Sequence, residues 1–190
     1  MAYFYREFVD NENIKYKGEE HNNLRYLLEI PLRNYTNKSI LVIMKNPSLA
    51  NEFKSDHTIN NVLKYCNSKQ YSKIYIMNLY AYYSTNPDGV AKLIKNNQDM
   101  LAIGRENDEI LKEIITKVDD VVVAWGSNTF ACTTKYKERI KQVSYILKGK
   151  NLFYVEKLSK CGWYPKHAQV WSVNKEIDMF NWTPPFNHLN

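Results

Sequence analysis

The chain has 190 residues, of which 44% are hydrophobic and 24% are charged, and its formal net charge is +6. This composition is typical of a folded globular protein and excludes an intrinsically disordered chain. No apolar run approaches the roughly 18 residues of a membrane span, and the first residues lack the layout of a signal peptide. Three widely spaced cysteines predict a reducing environment rather than a disulfide framework. We therefore expect a cytoplasmic protein with no membrane partner.

The four histidines show no ligand spacing such as HExxH, and neither GxGxxG nor GxxxxGK[ST] occurs. We expect no metal and no cofactor. The length favours one domain over residues 1–190, with a core block at 24–172 and peripheral segments at 1–23 and 173–190. The basic charge permits binding to a polyanion, and 15 tyrosines would suit stacking on bases, although tyrosines also fill cores.

The first half of the chain predicts two strands before a helix. Residues 24–30 (LRYLLEI) fit a strand, and residues 40–44 (ILVIM) fit a strand that is buried on both faces. A polar turn, Lys45-Asn46-Pro47-Ser48, follows the second strand. Asp56 or Thr58 is placed to cap a helix whose apolar residues recur at helical spacing.

The second half continues the alternation. Strands are predicted at 73–79, 121–125 and 152–155, and helices at 91–118 and 130–147. Residues 80–89 and 156–171 read as loops, and residues 182–190 as a surface tail. This order predicts a single-domain, three-layer α/β/α fold with a mostly parallel central sheet of four strands.

Each of the four predicted strands after residue 39 ends on, or is followed by, residues capable of polar chemistry. These are Asn46-Pro47-Ser48, Asn78, Trp125-Gly126 and Lys166-His167. Because the carboxyl ends of parallel strands share one edge, we expect these residues to form one pocket. Amides, an imidazole, a lysine and rings together suit a planar ligand such as a nucleobase. Each residue also has a local interpretation. Asn46 can cap its own turn, Asp56 can cap the helix, and His167 and Trp125 can pack in the core.

A family resemblance rests on blocks that run in order through the chain: MKNPSLA, DHTINNV, KIYIMNLYAYYSTNP, IGRENDEIL, VVVAWG and GWYPKHAQVW. They resemble the bacterial and phage family known as domain of unknown function 1643, over roughly residues 24–172. That family implies no established activity.

The NPS turn and the strand that ends in Asn are similar, more distantly, to the mismatch-specific uracil- and thymine-DNA glycosylases. That likeness implies a uracil-DNA glycosylase-like fold in which Asn46 holds a hydrolytic water and Asn78 reads the base. His167 would stand in the final loop. Ser48 replaces the glycine of the glycosylase turn, and Pro165-Lys166-His167 departs from its His-Pro-Ser order.

From these observations we assign candidate roles to eleven residues. Asn46 and His167 are the catalytic candidates. The substrate-binding candidates are Pro47, Ser48, Asn78, Trp125, Gly126 and Asp56. The phosphate-binding candidates are Arg25, Lys45 and Lys166.

Three functions stay open at this point. The first is a nucleobase- or nucleic-acid-directed protein, in its enzymatic form a DNA glycosylase acting on an unusual base. The second is a non-catalytic nucleotide- or nucleic-acid-binding protein in phage or host defence. The third is an unrelated small-molecule enzyme on a similar sheet. The expected partner is a nucleic acid or nucleotide, and the sequence leaves the oligomeric state undetermined.

Overall fold

The computed structural model describes residues 3–84, 88–127, 129–160 and 162–186. Residues 85–87 of the predicted loop 80–89, Cys161, and residues 187–190 of the predicted tail lie outside the described residues.

The described residues form one mixed sheet of seven strands, in the spatial order β1-β2-β4-β3-β5-β6-β7. The strands are β1 Lys15–Glu19, β2 Leu24–Pro31, β3 Ser39–Met44, β4 Lys73–Asn78, β5 Asp120–Val123, β6 Leu152–Val155 and β7 Met179–Asn181. β3 pairs in parallel with β4 on one side and with β5 on the other, and β5 pairs in parallel with β6. The four strands predicted after residue 39 are therefore neighbours, as expected.

The predicted sheet was nevertheless too small, and the whole sheet is not mostly parallel. β1, β2 and β7 add three antiparallel pairings at the two sides of the parallel centre. β1 was not predicted, because it lies in a stretch with only scattered apolar residues. An edge strand can pair with little burial, so it leaves a weak pattern in the sequence. The start of the predicted tail is also not peripheral, since Trp182 is buried against Trp125 with ring centroids 5.3 Å apart.

The described part of the chain also contains five α-helices: α1 His57–Ser68, α2 Gly89–Lys95, α3 Asp99–Ile103, α4 Asn107–Ile114 and α5 Thr133–Ile146. α1 begins as predicted, with the Asp56 carboxylate accepting a 2.9 Å hydrogen bond from the amide of Ile59. The single helix predicted over 91–118 is wrong, because three short helices occupy that stretch. Gly104 separates two of them at φ +79°, where a Cβ would lie 2.7 Å from the Tyr26 ring.

The helices cover both faces of the sheet. α1 packs on the face that carries Val42 and Ile76, while α4 and α5 pack on the face that carries Ile43 and Val123. From β3 the chain thus crosses to β4 over one face, and later reaches β5 and β6 over the other. Strand order reverses between β3 and β5, which is where open α/β sheets place a ligand.

Candidate functional site

A cleft of about 730 Å³ lies at the carboxyl edge of the parallel strands, and we call it the main cleft. Four parts of the chain line it: residues 44–48 after β3, 125–127 after β5, 157–159 after β6, and a later loop that supplies residues 164–167, Gln169 and Val170. Thr58 and Ser84 complete the lining. The cleft thus lies at the predicted shared edge, where the strand order reverses between β3 and β5.

The turn after β3 forms one wall of the main cleft. Asn46 donates from Nδ2 to the carbonyl of Pro47 at 3.2 Å, so half of its amide stabilises the turn itself. Its Oδ1 has no hydrogen-bond partner within the described residues and remains an acceptor for a ligand or a water. Ser48 also lines the cleft, and its Oγ is buried without a protein partner in the same residues.

Gly126 lies directly against His167 in the main cleft. Gly126 has φ +74°, and a Cβ at this position would lie 2.9 Å from the Cβ of His167. The hydroxyl of Tyr136 donates to the carbonyls of Trp125 (3.1 Å) and Gly126 (3.0 Å), which fixes this loop. A glycine is required here for both conformation and space.

The hydrogen bonding of His167 determines what its ring can do. Nδ1 accepts from the amide of Gln169 at 3.2 Å, so in the neutral ring the proton is on Nε2. Burial, together with the positive charge of Lys45, lowers the pKa of His167 to about 4, although Asp56 opposes the shift. At neutral pH the ring is uncharged and offers an N–H donor, which suits ligand binding better than proton abstraction.

Both predicted phosphate-binding lysines line the cleft, but their environments differ. Lys45 lies over the Phe130 ring, 4.5 Å from its centroid, and has no carboxylate partner within the described ranges. Burial lowers the pKa of its ammonium group. Lys166 instead forms an ion pair with Glu156, and both side chains are largely buried. Of these two lysines, Lys45 is therefore the one available to an anionic ligand.

Trp125 lines the cleft but belongs mainly to the core. It is fully buried, and its Nε1 has no partner among the residues that the structure describes. Gly126 and Pro47 line the same cleft.

Three predicted site residues do not line the main cleft, namely Asn78, Asp56 and Arg25. Asn78 is 3% exposed at the end of β4, and neither atom of its amide has a partner within the described chain. Asp56 caps α1 through Oδ1, while its buried Oδ2 has no hydrogen-bond partner within the described residues. Arg25 is 1% exposed and donates from Nη1 to the carbonyl of Ala50 at 2.7 Å, which ties β2 to the segment behind the turn. In this structure Arg25 is therefore closed off from the surface on which it was predicted to contact a phosphate.

We call Arg25, Ser48, Asp56 and Asn78 the buried polar cluster. Burial lowers the pKa of Arg25 and the charge of Asp56 opposes that shift, so the two charged groups interact electrostatically. Nε and Nη2 of Arg25, the bidentate side of the guanidinium, have no acceptor within the described residues. Buried polar atoms of this kind are normally satisfied by ordered water or by a ligand.

Sequence reasoning missed several cleft residues, among them Thr58, Ser127 and Lys157. Lys157 follows β6 by two residues, so the strand-end rule could have identified it. Thr58 and Ser127 carry no signal beyond their positions after a helix cap and a Gly. The described residues contain no group of three or more His, Cys, Asp or Glu side chains able to hold a metal. No helix among them is long and apolar enough to span a membrane.

Residues 25–167, more than half of the chain, match the family described as "Protein of unknown function (DUF1643)", and the chain belongs to that family. No curated protein and no solved structure matches the chain. The likeness to the uracil- and thymine-DNA glycosylases stays a prediction.

Gly126→Ala should displace the loop that carries His167, because the added methyl group would clash with the His167 Cβ. Gly149→Ala is the matched control, since Gly149 has φ +87° and no atom lies within 4 Å of its Cβ position. Both variants share a backbone penalty of about 1–2 kcal/mol. Denaturant unfolding should show a larger loss of stability for Gly126→Ala, and equal losses would contradict the packing argument.

The lowered pKa of His167 predicts a pH-dependent stability. The unfolded chain takes up a proton near the ordinary value of 6.5, whereas the folded state does so only near 4. Stability should therefore fall as the pH drops through this window, by up to about 1.4 kcal/mol per pH unit. Urea unfolding of the wild type and of His167→Asn between these pH values measures the difference. An NMR titration placing the His167 pKa near 6.5 would refute it.

Proposed function

We propose that the main cleft binds a nucleobase-containing anion, either a nucleotide or a segment of nucleic acid. Membership of the family brings no assigned activity, so the proposal rests on the residues of the cleft. The observation that carries this proposal is the charge of the lining. Among the described residues that line the cleft are Lys45, Lys157 and Lys166, of which Lys166 is paired with Glu156, and none of the lining residues is Asp or Glu. Such a lining favours a negatively charged ligand.

The lining also supplies hydrogen-bond donors of the kinds that hold a phosphate group. Lys45 supplies a half-buried cation, and the neutral ring of His167 supplies Nε2–H beside it. Ser48, Thr58 and Ser127 bring hydroxyl groups to the same walls. Charge-assisted hydrogen bonds from such a set are stronger than neutral ones, because the site is partly shielded from water.

The remaining groups suit a base. Gln169 is exposed and adds an amide to the lining, and amides recognise base edges. Tyr164 and Trp125 also lie at the cleft, but both are buried and offer little ring surface to a base. Asn78 can take part only if its buried amide becomes accessible to the ligand, so its role as base reader remains a hypothesis.

A DNA glycosylase is the enzymatic form of this proposal. The unpaired Oδ1 of Asn46 favours it, because that oxygen can orient a water for attack on an N-glycosidic carbon. No carboxylate is found among the described residues of the lining, so a mechanism that needs a carboxylate base in the cleft is not supported. The alternative is a binder that performs no chemistry.

Replacing Lys45 with Met should weaken nucleotide binding about tenfold or more, since a charged hydrogen-bond donor is lost from a half-buried position. Lys157→Met is the matched control. Lys157 is exposed at the rim of the same cleft, and its charge is screened by salt. Isothermal titration with nucleoside monophosphates compares the two. If neither variant changes the affinity, or if the wild type binds no nucleotide, the proposed anion site is wrong.

Asn46→Ala should abolish base release while leaving DNA binding nearly intact, because orienting a water contributes mainly to the transition state. The assay uses single-stranded and duplex DNA with uracil, mispaired thymine or modified pyrimidines, and Asn46→Asp tests the need for an amide. Binding without release by the wild type would favour the non-catalytic function. Release that survives in Asn46→Ala would exclude the water-positioning role.

A further inference from the structure

A second cleft of about 320 Å³ adjoins the main cleft, and the proposed function does not use it. It lies along the first two turns of α1, where His57, Asn60, Asn61 and Lys64 line it. Tyr3 and Arg6 contribute from the amino-terminal segment, and residues 171–175 form the remaining wall.

The two clefts share a wall. His57 lines the second cleft and its neighbour Thr58 lines the main cleft. On the other side, Gln169 and Val170 line the main cleft, and Trp171 and Ser172 line the second. A ridge at residues 168–170 therefore separates the clefts.

The ridge is fixed to α1. The Asn61 amide is 5% exposed and donates to the carbonyls of Ala168 (3.1 Å) and Gln169 (3.0 Å). Val170, which is 57% exposed, projects from the ridge. The wall between the clefts is thus a built part of the fold, and a ligand in one cleft would reach the other by crossing it.

The second cleft repeats the charge of the first. Arg6, Lys64 and Lys175 line it, and the lining again includes no Asp or Glu among the described residues. None of these three cations forms an ion pair in the described part of the chain, and Lys64 contacts only the Asn174 side chain, at 3.3 Å. Tyr3, which is 40% exposed, adds an aromatic ring. Unpaired cations beside an exposed ring are typical of surfaces that follow a nucleic-acid backbone.

We propose that the two clefts form one track for a polynucleotide strand, an inference that rests on the proposed function. One nucleotide would lie in the main cleft, and the backbone would continue over the ridge into the second cleft. A mononucleotide places its phosphates on one side of one sugar and cannot supply anions to both clefts. A strand carries a phosphate at every nucleotide, which matches two cationic clefts divided by a ridge of three residues. The ligand class is therefore a nucleic acid rather than a free nucleotide.

The test measures how binding affinity depends on the length of the ligand and on the lysines of the second cleft. Thymidine monophosphate and oligothymidylates of up to about eight nucleotides are titrated against the wild type, Lys64→Ala, Lys175→Ala and Lys148→Ala. Lys148 is exposed beyond the end of α5 and serves as the matched control. We expect the oligonucleotide to bind at least tenfold more tightly than the mononucleotide. Lys64→Ala and Lys175→Ala should each remove part of that gain, reduce the salt slope by about 0.7, and leave mononucleotide affinity unchanged.

Several outcomes would overturn the track. Oligonucleotides that bind no more tightly than the mononucleotide would refute it and leave the proposed function of the main cleft intact. Loss of mononucleotide affinity in Lys64→Ala would also refute it, because the second cleft would then act on the first rather than extend it. Equal binding of an acidic polypeptide such as polyglutamate would refute the assignment to nucleic acid. Failure of every nucleotide and oligonucleotide to bind would overturn the proposed function as well.

Discussion

The parallel pairing of β3 with β4 on one side and β5 on the other is the interaction on which the site depends. Every residue of β3 is buried, and its neighbours run in the same direction. Their carboxyl ends therefore meet at one edge, where the chain leaves β3 through a polar turn and leaves β5 through Gly126. Helices on opposite faces then separate the loops at this edge and open a cleft between them.

The buried polar cluster shows that the carboxyl edge is not organised for stability alone. A buried guanidinium carries a large desolvation cost, and the one hydrogen bond that this guanidinium donates within the described residues, to Ala50, offsets only part of it. Asn78, Ser48 and Asp56 keep further polar atoms buried without protein partners in the described residues. Replacing buried charged groups by apolar residues is often neutral or stabilising, and unpaired buried polar atoms of this kind are normally satisfied by ordered water or by a ligand.

The sequence predicted those features that depend on local pattern. Continuous apolar runs identified the four parallel strands, Asp56 identified the start of α1, and strand ends identified Asn46, Gly126 and His167 as neighbours. It failed where tertiary pairing overrides pattern. β1 and β7 pair at edges with little burial, and Gly104 divides a stretch whose periodicity is helical. The second cleft escaped prediction because Tyr3, Lys64 and Lys175 are far apart along the chain.

The two central groups of the main cleft are coupled through their charges. Lys45 helps to keep His167 neutral, and burial keeps both groups short of solvent. An anion bound next to Lys45 would offset its charge, and the pKa of His167 would rise as a result. By linkage, protonation of His167 must strengthen anion binding by the same factor. If the main cleft binds a phosphate as proposed, its affinity should therefore grow as the pH falls toward the pKa of His167, while at neutral pH the ring is an uncharged hydrogen-bond donor.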